Sequence, residues 1–292
     1  MKKKIAFVHN AMWEMYNFRG ELLQELKAKG YEITVICPPD EKNAHYFTDL
    51  GIKLLTVPMS RKGTNIKEDL QLVKNLFKVY KKEKFDLVFH YTIKPNIYGT
   101  LAAKLAGIKS IAITTGLGYV FLHNNITSLI AKFMYKFSLA FANEVWFLND
   151  DDMNIFLDKD LITERQAFKL PSEGINTKRF VPKEKNRKDS KTVFLMIARV
   201  LYDKGFNEYL EAAKLIKAQR NDVEFQLLGA IDSGNPSGVP QSVVEDAVSN
   251  GFINYLGTTS DVLPIIREAD CMVLPSYREG ISRVLMEAAS ME

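Results

Sequence analysis

Apolar and polar positions along this chain alternate between two periods. Short runs rich in Val, Ile, Leu and Phe are separated by longer stretches in which apolar residues return every three or four positions. Strand–helix–strand units of a parallel sheet produce this alternation. In the first part of the chain the runs that read as strands are Lys4–His9, Glu32–Pro38, Lys53–Pro58, Asp86–Tyr91, Ser110–Thr115 and Glu144–Asn149. A second series follows at Thr192–Arg199, Glu224–Gly229, Ile253–Gly257 and Asp270–Pro275. The pattern predicts two consecutive doubly wound α/β domains, residues 1–170 and 191–292. Residues 171–190 join them, because Pro171, Gly174, Pro182 and the charged run Lys183–Lys188 break the periodicity there. The second series stops at Met291-Glu292 inside an amphipathic pattern, so the expectation is an incomplete second domain and a fragment of a longer chain.

Composition adds solubility to this picture. With 47% apolar and 25% charged residues in 292, disorder, collagen-like repetition and a polytopic membrane protein are excluded. The net charge of +4 hides an asymmetry: residues 1–190 carry 30 Lys+Arg against 21 Asp+Glu, and residues 191–292 carry 9 against 14. A basic first part suits an anionic partner (nucleic acid, an anionic membrane or a phosphorylated substrate), although ordinary surface lysine gives the same count.

Two cysteines, Cys37 and Cys271, far apart and inside apolar runs, imply no disulfide framework. Four histidines without zinc-type spacing point to a cytosolic protein with no metal site. Met1-Lys2-Lys3-Lys4 begins like a secretion signal, but His9-Asn10 cuts its apolar stretch too short. The most lipophilic segment, Ser128–Leu148, contains Lys132, Lys136, Asn143 and Glu144, and a mid-bilayer Lys costs about 2.5–3.5 kcal/mol, so no spanning helix is expected.

In open α/β sheets ligands bind beyond the carboxyl ends of the strands. The stretch after the first strand, read as a loop from His9 to Gly20, lacks the G-x-G-x-x-G spacing of a dinucleotide site, which disfavours a dehydrogenase. Gly116 and Gly118 after the fifth strand either admit a ligand close to the backbone or simply form a turn. Asn149-Asp150-Asp151-Asp152 resembles a metal-binding Asp-x-Asp, but its position between strand and helix favours a helix cap. In the second domain Ala198-Arg199-Val200-Leu201-Tyr202-Asp203-Lys204-Gly205 puts a guanidinium and an ammonium on one ligand-facing loop, a pairing suited to a diphosphate and equally readable, taken alone, as an exposed basic turn. After the last strand come Glu279 and Glu287, eight positions apart, which on one helix would face an elongated ligand from two heights and which, as an isolated pair, read equally as surface charge. Gly280, Ile281 and Ser282 stand where the amides of a helix start would meet an anion.

At these residues the sequence resembles glycosyltransferase family 4, retaining nucleotide-sugar enzymes of the GT-B fold, in which two Rossmann-like domains face a cleft. The resemblance spans the chain: Ala198–Gly205, the Glu279/Glu287 pair, and Ser172-Glu173-Gly174-Ile175-Asn176 with Phe180 and Pro182, similar to the family's hinge. It implies that Arg199 and Lys204 hold the donor diphosphate, Glu279 the donor sugar and Glu287 the ribose, with Gly257–Asp261 beside the base. His90–Asn96, Thr115–Gly118 and Met15–Arg19 look similar to bacterial enzymes that extend polyprenyl-diphosphate-linked saccharides of capsule, O-antigen or glycoprotein glycans with amino sugars. The chain departs from many members in having Thr115-Gly116 where they carry a catalytic His, and in lacking the glycine-rich turn after the first strand.

The resemblance therefore implies a UDP-sugar donor, no resident cofactor or metal, a polyprenyl-diphosphate saccharide acceptor and no nucleic acid. His90, Lys94, Gly116, Gly118 and Arg19 are the acceptor-side candidates, His90 being equally readable as a packing residue. The expected location is the cytoplasmic face of the membrane, with the lysines of Arg61–Lys84 and the segment Ile126–Phe141 meeting anionic lipid. In Arg61–Lys84 the apolar positions Leu70, Val73, Leu76, Phe77 and Tyr80 are expected to be core. Transfer to a soluble acceptor, a nucleotide-sugar epimerase and a non-catalytic nucleotide-binding protein are the rival readings.

Overall fold

A computed structural model describes residues 2–60, 65–117, 126–184 and 190–292. Its contacts divide the chain into two compact units, Met1–Ser172 and Glu173–Glu292. The first contains strands β1 (Lys4–Val8), β2 (Glu32–Cys37), β3 (Lys53–Thr56), β4 (Leu87–Tyr91), β5 (Lys109–Thr114), β6 (Glu144–Phe147) and β7 (Ala167–Lys169). All pair in parallel, in the order β3-β2-β1-β4-β5-β6-β7. Its helices are α1 (Met12–Ala28), α2 (His45–Asp49), α3 (Ile66–Glu83), α4 (Thr100–Ala106), α5 (Ile126–Leu139) and α6 (Asp150–Asp158).

Strand periodicity divides the apolar residues between two layers. Ile5 and Phe7 of β1 pack with Met12, Met15 and Leu23 of α1 and Phe47 of α2. Ala6 and Val8 pack instead with Leu72, Leu76 and Tyr80 of α3 and with Ala102 and Ala103 of α4. A further cluster joins Tyr135 and Leu139 of α5 and Phe156 of α6 to Val145 and Phe147 of β6. Asn149 caps α6, its side-chain oxygen accepting from the Asp152 amide at 2.7 Å, which is the capping role expected of that acidic run.

Three expectations need correction. The stretch from His9 to Gly20 is mostly helix, since α1 starts at Met12; its mixed Trp, Tyr, Asn and Arg pattern hid the period. β7 was not anticipated, because three residues at a sheet edge are too few to show alternation. Leu70 points to solvent and Leu72 is buried in its place, while Leu76 and Tyr80 are core as expected and Val73 and Phe77 pack partly buried against them.

The second unit holds β8 (Thr192–Ile197), β9 (Val223–Leu228), β10 (Asn254–Tyr255) and β11 (Cys271–Met272), parallel in the order β10-β9-β8-β11. Its helices are α7 (Phe206–Lys217), α8 (Gln241–Ser249), α9 (Leu263–Glu268) and α10 (Arg283–Ala289). β10 and β11 are shorter than the apolar runs around them, because only two residues of each make ladder pairs. Phe180, in the segment read as a linker, is buried here with Leu195, Leu228, Ile266 and Met291.

Strand order reverses between β1 and β4 in the first unit and between β8 and β11 in the second. At such a reversal the loops leaving neighbouring strands diverge and open a crevice at their carboxyl ends. The loops after β1 and β4, and those after β8 and β11, are the places where ligands fit.

Candidate functional site

The second unit brings its two crevice loops into direct contact. β8 exits through Ala198 and Arg199 into a short 3₁₀ turn, Tyr202–Lys204, and Gly205 adopts φ +83° before α7 begins. A Cβ at Gly205 would lie 2.2 Å from the Pro275 carbonyl oxygen, so only glycine lets the β8 loop lie against the β11 loop. The contact is fastened by the Tyr277 amide donating to the Asp203 carbonyl at 3.1 Å, and by Tyr277 Oη donating to Glu208 at 2.5 Å. The hydrogen bond donated by Tyr277 holds the Glu208 carboxyl below its ordinary pKa. The result places Lys204 Nζ 2.6 Å from Glu279 Oε1, with both side chains partly open to solvent.

The other donor-side candidates have separate partners. Arg199, more than half exposed, lies 3.4 Å from Asp232 rather than against Glu279. Glu287 is buried on α10, where Arg283 Nε donates to it at 2.9 Å, one helical turn away. α10 starts at Arg283, so Gly280 and Ile281 lie in the lead-in loop and Ser282 is the cap, its Oγ accepting from the Leu285 amide at 3.4 Å. The expectation that residues 280–282 supply the helix-start amides is therefore corrected. Glu279 is likewise in the loop, and the helical separation of Glu279 and Glu287 does not apply. Gly257, at φ +73°, follows β10 and accepts the Gly229 amide at 2.8 Å, tying the β9 and β10 exits together.

In the first unit His90 is fully buried. Its Nε2 lies 2.9 Å from Tyr80 Oη and its Nδ1 3.3 Å from Thr100 Oγ1, and burial lowers its pKa to about 3. It packs β4 against α3 and α4, so the packing alternative holds and no surface is left for an acceptor contact. Lys94 is also buried, donating to Asp69 and to Ser60 Oγ at 2.7 Å each, while Tyr98 Oη donates to the other Asp69 oxygen at 2.8 Å. This network borders a cavity of about 400 Å³ lined also by Pro58, Met59, Lys67 and Asn75.

Arg19 is buried with its guanidinium 4.3 Å from the Tyr91 ring centroid. Gly116 follows β5 at φ +138°, and Gly118 lies outside the described residues. One group escaped the sequence reading. His9, at the carboxyl end of β1 beside the strand reversal, accepts the Ala11 amide at Nδ1 and turns Nε2 toward Glu14, 3.8 Å away. Its position at that strand end was the signal available.

Among the described residues no three His, Cys, Asp or Glu side chains gather closely enough to hold a metal ion, and no helix is long and apolar enough to cross a membrane. Cys37 and Cys271 are free thiols.

Residues 4–149 match the family described as glycosyl transferase 4-like, and residues 177–292 match glycosyl transferases group 1. The chain is 32% identical to the N,N'-diacetylbacillosaminyl-diphospho-undecaprenol alpha-1,3-N-acetylgalactosaminyltransferase of Campylobacter jejuni, over 98% of this chain and 77% of that protein. It is 26% identical to the UDP-Gal:alpha-D-GlcNAc-diphosphoundecaprenol alpha-1,3-galactosyltransferase of Escherichia coli, over 89% of this chain and 69% of that one. Among solved structures, a glycosyltransferase from Rickettsia africae superposes with a TM-score of 0.77 at 21% identity, covering 99% of this chain and 77% of that one. Anabaena HepE in complex with UDP and glucose gives 0.75 at 15% identity, covering 99% and 78%. The folds agree with the GT-B class that the resemblance implied: two doubly wound parallel-sheet units.

Proposed function

The chain belongs to the glycosyltransferases of the 4-like and group 1 families, and we propose that it transfers a sugar from a UDP-sugar to a polyprenyl-diphosphate-linked saccharide with retention at the anomeric carbon. The sugar in this reading is an N-acetylated amino sugar, and the setting is assembly of bacterial surface polysaccharide at the cytoplasmic face of the membrane. The reaction uses no resident cofactor or metal.

The observation that carries the transfer chemistry is the meeting of Lys204 and Glu279 on the two loops that flank the β8/β11 reversal. Breaking the anomeric bond leaves a nucleoside diphosphate whose growing charge must be met by groups already in place. Lys204 and the exposed fork of Arg199 supply two fixed cations for it. Glu279 accepts hydrogen bonds from the donor sugar, and Glu287, oriented by Arg283, accepts from the ribose. Gly280–Ser282 and Gly257 shape the loops around the nucleotide.

The acceptor hydroxyl attacks the anomeric carbon on the face the diphosphate leaves. Its proton passes to the departing phosphate oxygen as the new C–O bond forms, so no protein base is required. Support for the acceptor class comes from the Campylobacter and Escherichia relatives, both named for transfer to diphospho-undecaprenol-linked sugars. Arg19, Tyr91, His9 and Glu14, gathered at the β1/β4 reversal, and the Lys94 network are the first unit's contribution to holding that acceptor.

A thermal-shift series with UDP-sugars on the parent, Arg199→Ala and Glu279→Ala tests the donor site. A ligand-induced shift that shrinks in both variants is expected, and shifts equal to the parent's in both would overturn the assignment. Product analysis with a polyprenyl-diphosphate sugar then tests the acceptor.

A further inference from the structure

Helix α5 has two unlike sides. Tyr135, Ser138 and Leu139 are buried against the first unit's core, whereas Ile130, Phe133 and Phe137 are 53%, 68% and 52% exposed. Phe141, just beyond the helix, continues the stripe at the same spacing and meets Phe137 edge to face at 5.7 Å. Lys104 of α4 sets its ammonium 5.5 Å from the Phe141 ring, and neighbouring Leu105 is 64% exposed. Single exposed apolar side chains are ordinary, but a contiguous aromatic stripe marks a surface meant to be covered.

Charge identifies the cover. Residues 87–143 contain no Asp or Glu, in a chain with 35 of them, yet hold five lysines: Lys94, Lys104, Lys109, Lys132 and Lys136. Lys104, Lys109 and Lys136 are exposed, and α3 in the same helical layer exposes Lys67, Lys74, Lys78, Lys81 and Lys82. A second copy of the α4–α5 part of this face would set lysines against lysines, since residues 87–143 supply no carboxylate to pair with them. An anionic lipid surface opposes the lysines with phosphates and takes aromatic side chains at its headgroup boundary.

We propose that the Ile130/Phe133/Phe137/Phe141 stripe is the membrane-docking surface, entering the boundary between headgroups and acyl chains while Lys104 and Lys136 meet lipid phosphates. This deepens the reading above, from which it takes a membrane-borne acceptor. It assigns the docking to one face of α5 and α4.

The test is co-sedimentation with phosphatidylcholine vesicles containing about 30% phosphatidylglycerol. The Phe133→Asp/Phe137→Asp double variant should lose vesicle binding by roughly tenfold or more. Both positions are exposed, so its unfolding curve and its thermal shift with UDP should match the parent's. Transfer to a water-soluble short-prenyl acceptor should also be unchanged, while transfer to acceptor embedded in vesicles should fall. As a second measurement, Phe137→Trp should show a blue-shifted emission when these vesicles are added.

Vesicle binding by the double variant equal to the parent's would overturn the proposal, as would a tryptophan emission that vesicles leave unmoved. A parent that is active on the water-soluble acceptor but does not bind vesicles would overturn it and leave the functional reading standing. A parent dimer that the double variant dissolves, seen by light scattering, would assign the face to self-association and likewise overturn it. Vesicle binding through this face by a protein inactive on every UDP-sugar would support the docking surface and remove the functional reading instead.

Discussion

Lys204 and Glu279 are separated by 75 positions in the chain and by 2.6 Å in space. Their meeting is made by the parallel pairing of β8 with β11 and by the loop contact at Gly205. In this state the carboxylate already neutralises the ammonium, and a donor diphosphate competes for it. Lys204→Ala should therefore lower kcat/KM for the UDP-sugar by about 10²–10³ and weaken UDP itself. Glu279→Gln should lower transfer while leaving UDP affinity equal or higher, because the competing charge is gone. Calorimetric titration with UDP beside steady-state kinetics separates the two effects.

Gly205 and Gly257 provide a matched pair of substitutions. Both adopt positive φ, +83° and +73°, but a Cβ at Gly257 meets nothing within 4 Å, whereas one at Gly205 collides with the Pro275 backbone. Gly257→Ala should cost about 1 kcal/mol from backbone strain alone. Gly205→Ala should cost clearly more and raise KM for the donor, because the loop carrying Lys204 must move away from the one carrying Glu279. Denaturant midpoints and donor KM values for the two variants check this order.

The parallel sheets were legible because inner strands such as β2 and β8 are buried on both faces and read as continuous apolar runs, Ile33–Cys37 and Val193–Met196, while β9 alternates as Val223-Glu224-Phe225-Gln226. Element ends were less so. Whether Glu279 lies on a helix depends on where α10 is capped, and Ser282 caps it in competition with Gly280, which the sequence pattern alone does not rank. His90 illustrates the same limit for chemistry. A histidine at a strand end is a ligand contact or a packing group according to what α3 places over it, and Tyr80 arrives from ten residues upstream to close it off. Conversely His9 looked ordinary until the strand order put β1 beside β4.

Asp69 and Lys94 form an ion pair about nine-tenths buried, with Ser60 and Tyr98 completing its hydrogen bonds. Burial and the Asp69 charge together push the Tyr98 phenol pKa upward. Removing one member leaves the other charge buried without its counterion, so Asp69→Ala should destabilise the first unit by about 3–5 kcal/mol. Asp69→Leu combined with Lys94→Met should recover most of that loss, since a buried pair and an apolar pair of similar volume differ little in net stability. A double-mutant cycle from urea unfolding measures the coupling.

His90 makes the first unit acid-sensitive in a direction that can be worked out. Its folded pKa is about 3, held down by burial, against a model-compound value of 6.5, which stands in for the unfolded chain. Between these values the unfolded chain binds the proton and the folded one does not. Stability is therefore intact above about pH 6.5 and falls as pH drops toward 3, by up to about 1.4 kcal/mol per pH unit from this group. His90→Gln keeps a donor and an acceptor for Tyr80 and Thr100 without a titratable proton. The variant should be somewhat less stable at pH 7.5, yet its unfolding free energy should decline less steeply from pH 6.5 to 4.5 than the parent's. Parallel declines in the two proteins, measured by urea titration across that range, would assign the acid sensitivity to carboxylates instead.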